Sequence, residues 1–410
     1  MNVLQVNYSD LRGRIYNGYD LQISLNERGI PTSQVVGDKL SDNEHVYCVN
    51  KNRVLHEKMK YMEKKFSISS LLYPYGLQVK EMECYKNADI VHYHLLYNHF
   101  ISLMDIPMLM NHKKSVWTIH DPWIVTGNCI YPLECERWKT GCGDCPHLDN
   151  MGYKYLEMHE DNTREMWELK KQILREINPT VIVASDFTKY YLEHSPLTKH
   201  FTNIVKIPFG VRQKENSIKI KNDIRKKFSF SEESFVIGFR NEITEIKGCN
   251  FLCKALENLQ GKEQVCLLTT GAAELPESIK EKYKVVELGW VNDEKRMEEF
   301  FLSCDVFVMP SLAETFGLMA IEALSFGVPV VCFKDTVVEE IIQAPACGIA
   351  VEYKNVSKLK QALEYLVKNR EVAINKGMAG KKLVSEQYTY DQYVARHIQL
   401  YESINNNMMF

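Results

Sequence analysis

Apolar positions in this chain come in short continuous runs, separated by longer stretches in which they recur every three or four residues. The first half carries "NVLQVNYS", "SQVVGD", "DIVHYHLL", "SVWTIHD", "TVIVAS" and "NIVKIPF". The second half carries "SFVIGF", "VCLLTTG", "KVVELGW", "DVFVMPS", "VPVVCF" and "GIAVEY". β-branched runs without polar alternation read as strands covered on both faces. The amphipathic stretches between them read as helices, so the pattern predicts βα units on parallel sheets. The series restarts after "GVRQKENSIKIKNDIRKKFSF", a polar, charged linker running into a basic helix. The expected architecture is α/β, with two Rossmann-like, doubly wound domains, residues 1–211 and 212–385. The helical "YDQYVARHIQLYESI", within 386–410, is expected to pack back on the first domain.

Length agrees with two domains, since 410 residues exceed one ordinary core. Apolar content of 45% and charged content of 25% are those of an average globular protein. A formal net charge of −3 gives nucleic acid no reason to be a partner. No apolar run approaches a membrane span, and "MNVLQVNYSD" reads as a first strand and not a signal peptide. The expected location is therefore cytoplasmic. Neither half has G-x-G-x-x-G after its first strand, which argues against a dinucleotide cofactor.

The densest chemistry lies in "PSLAETFGLMAIEALSFGVPVV". Ligands of open α/β sheets bind beyond the carboxyl ends of strands, where helix N-termini present free N–H groups. Glu314 stands at such a place, and Thr315, Phe316 and Gly317 offer backbone donors beside it. A carboxylate there suits a polyol, because it accepts hydrogen bonds from two hydroxyls. Eight residues on, and about 80° around a continuous helix, Glu322 suits a second diol such as ribose. The plainer reading makes Glu314 a complement to the helix dipole and Glu322 a surface residue.

The surrounding residues favour the first reading. "ETFGLMAIE" with "EALSFGVPVV" after it, "LGWV" before it and "GFR…KG" at the first βα loop resembles the nucleotide-sugar domain of retaining glycosyltransferases of family 4. The resemblance implies a GT-B fold, two Rossmann-like domains facing a cleft, and sugar transfer from a nucleoside diphosphate donor, most simply a UDP-sugar, to an acceptor hydroxyl. It implies that Glu314 holds donor sugar hydroxyls and Glu322 the ribose. The N–H groups of Phe316, Gly317 and Leu318 would face sugar and phosphates, and Trp290 and Val291 would border the base. Arg240 and Lys247 would oppose the leaving diphosphate, making a catalytic metal unnecessary. Their separation of seven residues exceeds the five common in the family. His120 in "WTIHDPW" matches a histidine near the reacting sugar, with Asp121 a candidate to orient it. Gly13, flanked by Arg12 and Arg14, stands where the family has a glycine-rich turn; an ordinary βα turn is the alternative. His94 is a lesser candidate and His92 a structural one. In "IPFGV", Phe209 and Gly210 replace the usual Asn-Gly.

Two features lie outside that frame. Cys129, Cys135, Cys142 and Cys145, spaced C-x5-C-x6-C-x2-C, suit a structural zinc, with disulfides or free thiols as alternatives. Residues 51–65 carry six Lys or Arg against two Glu ahead of apolar positions. This suits either a solvated helix or a peripheral contact with an anionic membrane at the inner face of the cell membrane. The expected role is retaining transfer onto a surface polysaccharide, as in capsule or lipopolysaccharide synthesis, or onto its lipid-linked precursor. A nucleotide-sugar epimerase and a non-catalytic sugar-nucleotide-binding subunit are the rival readings.

Overall fold

A computed structural model describes residues 1–153, 156–212, 218–261 and 264–407. The chain divides into two compact units, residues 1–208 with 393–410, and residues 209–392. Residues 213–217 of the expected linker lie outside the described residues. The basic helix after them, Ile218–Lys227, belongs to the second unit: Lys221 and Arg225 both bond Asp305, which lies just ahead of a strand.

The first unit is built on β1 (Val3–Ser9), β2 (Thr32–Asp38), β3 (Val46–Cys48), β4 (Ile90–Tyr93), β5 (Lys114–Ile119), β6 (Thr180–Val183) and β7 (Ile204–Lys206). All pair in parallel, in the order β3-β2-β1-β4-β5-β6-β7. The second unit has β8 (Phe235–Arg240), β9 (Val265–Thr270), β10 (Lys284–Glu287), β11 (Val306–Met309), β12 (Val330–Phe333) and β13 (Gly348–Val351), in the order β10-β9-β8-β11-β12-β13. Each order reverses direction once, between β1 and β4 and between β8 and β11. Such reversals are the switch points at which doubly wound sheets hold ligands.

All twelve expected strands are present. β3 is the one the hydrophobic pattern did not predict. It is a three-residue edge strand whose Tyr47 and Cys48 are exposed, so it lacks the apolar run that marks a covered strand. The central strands β4, β8, β11 and β12 are buried almost throughout, as helices on both faces require. At the ends of the second unit, the Val211 N–H donates to the Tyr388 carbonyl and the Val211 carbonyl accepts from the Tyr390 N–H, a bridge centred on Thr389. A Cβ at Gly210 would stand 2.4 Å from the Thr389 carbonyl oxygen, so that pairing requires glycine. The C-terminal helix Tyr390–Asn405 sends Tyr401 and His397 into the core of the first unit. Among the described residues, no helix is long and apolar enough to cross a membrane.

Candidate functional site

The second unit's switch point brings together the loops after β8 and β11. Gly248 has φ +65°, and a Cβ on it would lie 1.9 Å from the Pro310 carbonyl oxygen. Only glycine lets these two loops touch. The Leu312 N–H donates to the Ile246 carbonyl at 2.7 Å and closes the same contact. Lys247 Nζ thereby reaches Glu314 Oε1 at 2.7 Å, and Ser311 Oγ donates to that oxygen at 2.9 Å. The two side chains are 22% and 12% exposed, so each charge depends on the other for much of its solvation.

Glu314 is not on a helix shared with Glu322. Gly317, at φ +87°, is the N-cap, and the helix runs Leu318–Ser325. The seven intervening residues span a loop and one helical turn, which corrects the continuous-helix geometry. No protein acceptor takes the N–H groups of Phe316, Gly317 and Leu318 among the described residues. Donors left open at a helix N-terminus make an anion site. Thr315 belongs to the same loop. The loop is anchored by the buried Phe316 ring, which meets Phe209 edge-on at 5.2 Å and Tyr388 at 6.0 Å. Aromatic pairs of this kind add about 0.5–1.5 kcal/mol beyond area burial. Phe209 therefore supports the loop by packing.

Glu322, partly buried one turn into the helix, makes no side-chain hydrogen bond among the described residues. Burial pushes its carboxyl up to about 7; Arg240 opposes that shift and Glu294 adds to it. Arg240 bonds Glu242 through Nε at 2.6 Å and lies 4.7 Å from the centroid of the Trp290 ring. Its guanidinium thus serves Trp290, Glu242 and the field at Glu322. Trp290 is 58% exposed and donates through Nε1 to Asn292 at 2.7 Å, with Val291 partly buried beside it. An exposed indole backed by a guanidinium offers a flat stacking face.

In the first unit, His120 follows β5 and bonds His94 across 3.3 Å between Nε2 and Nδ1. His94 Nε2 reaches Gln5 Oε1 at 2.7 Å, and the His92 ring packs against His94 at a tilt of 32°, centroids 4.2 Å apart. His92 is held in turn by Tyr401 and Thr118 at 2.6 and 2.7 Å. Burial holds His92 and His94 well below the ordinary imidazole range and His120 at about 3. Asp121 does not orient His120. Its carboxylate accepts from the Trp123 N–H and the Tyr97 hydroxyl, capping the turn Pro122–Val125. Gly13, at φ +71°, makes room for Tyr16, whose ring would lie 2.3 Å from a Cβ there; Tyr16 itself packs 5.5 Å from His120. Arg14 bonds Asp20 at 2.6 Å, while Arg12 is exposed.

Sequence reasoning passed over Gln5, Gly18 and Lys170. A Cβ on Gly18 would strike His94 Nε2 and Gln5 Oε1 at 2.7 and 2.8 Å. The φ of +92° at Gly18 is satisfied only by glycine's freedom, but nothing in "YNGYD" separates it from an ordinary turn glycine. Lys170, in "ELKKQ", looks like surface charge, yet it is fully buried. Its Nζ donates to the Trp123 and Thr126 carbonyls at 2.6 and 3.0 Å and lies 3.6 Å from the Trp123 ring centroid. It pins the backbone that leaves His120, and burial pushes its ammonium down to about 7.

The four clustered cysteines line one small cavity with Thr126, Gly127 and Trp138. They are free thiols, and no group of three or more His, Cys, Asp or Glu among the described residues is placed to hold a metal. The zinc expected at Cys129, Cys135, Cys142 and Cys145 thus has no preformed ligand set among the described residues. The loosely spaced sulfurs satisfy one another and the backbone instead. Cys129 hydrogen-bonds Cys145, and the Gly127 N–H donates to Cys142 Sγ at 3.2 Å. The bond from Cys129 brings the Cys145 thiol down to about 7, whereas burial lifts Cys142 to about 11. Iodoacetamide at neutral pH should therefore alkylate Cys145 first within this loop, because the thiolate is the nucleophile. Cys129→Ala should move the Cys145 midpoint upward; labelling led by Cys142, or an unmoved midpoint, contradicts this pairing.

Residues 220–383 match the family described as glycosyl transferases group 1. The chain is 25% identical over 300 residues to the Escherichia coli K12 protein WcaC, named as a colanic acid biosynthesis glycosyl transferase; that alignment covers 66% of each chain, just under two thirds. Among solved structures, WaaG, a glycosyltransferase involved in lipopolysaccharide biosynthesis, superposes with a TM-score of 0.66 at 13% identity, over 97% of this chain and 98% of its own. Anabaena HepE, solved in complex with UDP-glucose, superposes with a TM-score of 0.65 at 14% identity, over 98% and 100%. The fold is thus that of GT-B glycosyltransferases, and the second unit carries the sequence signature of their group 1.

Proposed function

We propose that the protein is a retaining, metal-independent glycosyltransferase of family 4, its two glutamates forming that family's E-x7-E motif, and that it moves a sugar from a UDP-sugar to an acceptor hydroxyl in surface polysaccharide synthesis. The observation that carries this reading is the Lys247–Glu314 ion pair, set beside open backbone donors at the switch point of the domain that matches group 1. The names of WcaC and WaaG support a glycan or lipid-linked acceptor, and the HepE complex supports UDP as the nucleotide.

In this reading Glu314 accepts hydrogen bonds from donor sugar hydroxyls while Lys247 and the N–H groups of 316–318 receive the diphosphate. Fixed donors aimed at developing charge contribute about 3–4 kcal/mol each to transition-state stabilisation. The bond from the anomeric carbon to the phosphate oxygen breaks, and the bond to the acceptor oxygen forms on the same face. The acceptor proton passes to the departing phosphate. Glu322 holds the ribose diol, and Trp290, with Val291 and Arg240, borders the base. His120 accepts a hydrogen bond from a substrate hydroxyl on the acceptor side. The cationic helix Arg53–Lys65, with exposed Val54, Tyr61 and Met62, favours peripheral contact with an anionic membrane.

Incubation with a panel of nucleotide sugars should give transfer, or slow donor hydrolysis without acceptor. Isomerised donor would mean an epimerase, and binding without turnover a non-catalytic subunit. Lys247→Ala should lower turnover about 100-fold or more. Glu314→Gln should damage turnover more than UDP affinity, and near-normal rates in both variants would sink the assignment. Glu322 should bind the diol as carboxylate, so affinity for a UDP-sugar should rise as pH climbs through about 7, where the carboxyl loses its proton. The donor's diphosphate diester does not titrate there, and Glu322→Gln should flatten the profile. A profile unchanged by that substitution removes Glu322 from the ribose site.

A further inference from the structure

The first unit holds a cleft of about 270 Å³ that none of the residues assigned to transfer above lines. The helix Arg53–Lys65 borders it with Glu57, Lys60, Tyr61 and Lys64, whose three- and four-residue spacing puts them on one face. Asn98 and His99 line it from the loop that leaves β4, at the reversal of strand order where doubly wound sheets hold ligands. Ser70 lines both this cleft and the small buried space against which His94 and His120 pack, so it stands between the two. Ser70, Asn98 and His99 have φ of +56°, +72° and +63°, a conformation that L side chains rarely adopt. The Glu63 carboxylate holds the first, accepting from the N–H groups of Ser70, Leu71 and Leu72 at 3.1, 2.7 and 3.0 Å. The Tyr73 hydroxyl holds the last, 2.7 Å from His99 Nδ1. Strained backbone that its surroundings hold in place makes a preformed surface.

The chemistry of this cleft selects against a charged ligand. Glu57 answers Lys60 at 3.3 Å, Glu157 answers Lys64 at 3.8 Å, and Glu63 is taken up by its three N–H donors. Burial brings the His99 imidazole down to about 4, leaving a neutral ring. A phosphate would have to compete with carboxylates already paired to both lysines, whereas a hydroxylated ligand would not. The walls offer the hydroxyls of Ser69 and Ser70, the Asn98 amide, which also meets the Tyr8 hydroxyl, and the His99 ring. These groups exchange hydrogen bonds with hydroxyls in either direction. Tyr61, 65% exposed, adds a flat aromatic face at the rim. A pyranose has hydroxyls around its edge and an apolar C–H face, which matches that combination. We propose that this cleft is a saccharide subsite, and that it holds a neutral sugar unit of the acceptor other than the unit that receives the new bond. The acceptor assignment rests on the glycosyl-transfer reading; the saccharide site does not.

NMR of full-length, histidine-labelled protein saturated with UDP tests this, using the methyl glycosides of glucose, galactose and N-acetylglucosamine as probes and inorganic phosphate as the charged control. At least one glycoside should shift the His99 ring signals with a Kd on the order of 1 mM. Phosphate should leave those signals in place. Tyr61→Ala should weaken that glycoside about 5- to 10-fold, while Tyr61→Phe, which keeps the ring, should bind within about 2-fold of the wild type. Tyr61 is exposed, so neither variant disturbs the core. No shift at His99 with any of the three glycosides, tighter binding of phosphate there, or an affinity indifferent to Tyr61→Ala overturns the proposal. When UDP-glucose replaces UDP, the glycoside held in the cleft should not itself be glycosylated. Product formed on it and lost in Tyr61→Ala would make the cleft the transfer site and overturn the assignment to a non-reacting unit. A glycoside bound at His99 by protein that transfers sugar from no nucleotide donor would defeat the functional reading alone and leave the saccharide site standing.

Discussion

The contact between Gly248 and Pro310 sets the geometry on which the second unit's chemistry depends. Two loops leave neighbouring strands at the point where the sheet reverses, and with any side chain on residue 248 they could not meet. Because they do meet, one cation and one carboxylate that are 67 residues apart in sequence share a hydrogen bond. The pair is largely withdrawn from water, so neither partner is comfortable alone. A ligand that gives Glu314 hydroxyl donors and Lys247 an anion replaces the internal pair with better-matched partners. A nucleotide sugar supplies both at the separation of one sugar ring.

The first unit solves a different problem with buried hydrogen bonds. Its central strands carry His92 and His94 on one face, where desolvation excludes charge and forces single protonation. Networks of this kind are costly unless every member is satisfied, and Gln5, Tyr401 and Thr118 satisfy them. Lys170 plays the same part for the turn after His120, donating to the Trp123 and Thr126 carbonyls.

Much of the fold was legible because covered parallel strands announce themselves as apolar runs, and twelve of the thirteen did so. β3 escaped since an exposed edge strand has no such run. The Lys247, Glu314 and Glu322 positions stood out through their place after β8 and β11, but their mutual geometry did not. Spacing suggested one helix, whereas Gly317 starts the helix late and leaves Glu314 in a loop. Arg240 was legible as a cation, but its stacking on Trp290 depends on a tertiary approach that no local pattern encodes. The cysteine spacing suggested zinc because ligand motifs are counted along the chain. In space the sulfurs pair with each other and with backbone N–H groups instead. Gln5 and Lys170 were invisible for the same reason: a polar residue's burial partner lies far away in sequence.

A crystal structure of the protein with an intact UDP-sugar tests the central claim most directly. The distal phosphate is expected within about 3 Å of the backbone N–H groups of 316–318 and of Lys247 Nζ, with sugar hydroxyls on Glu314. A nucleotide bound elsewhere, with the Lys247–Glu314 pair untouched, would contradict it.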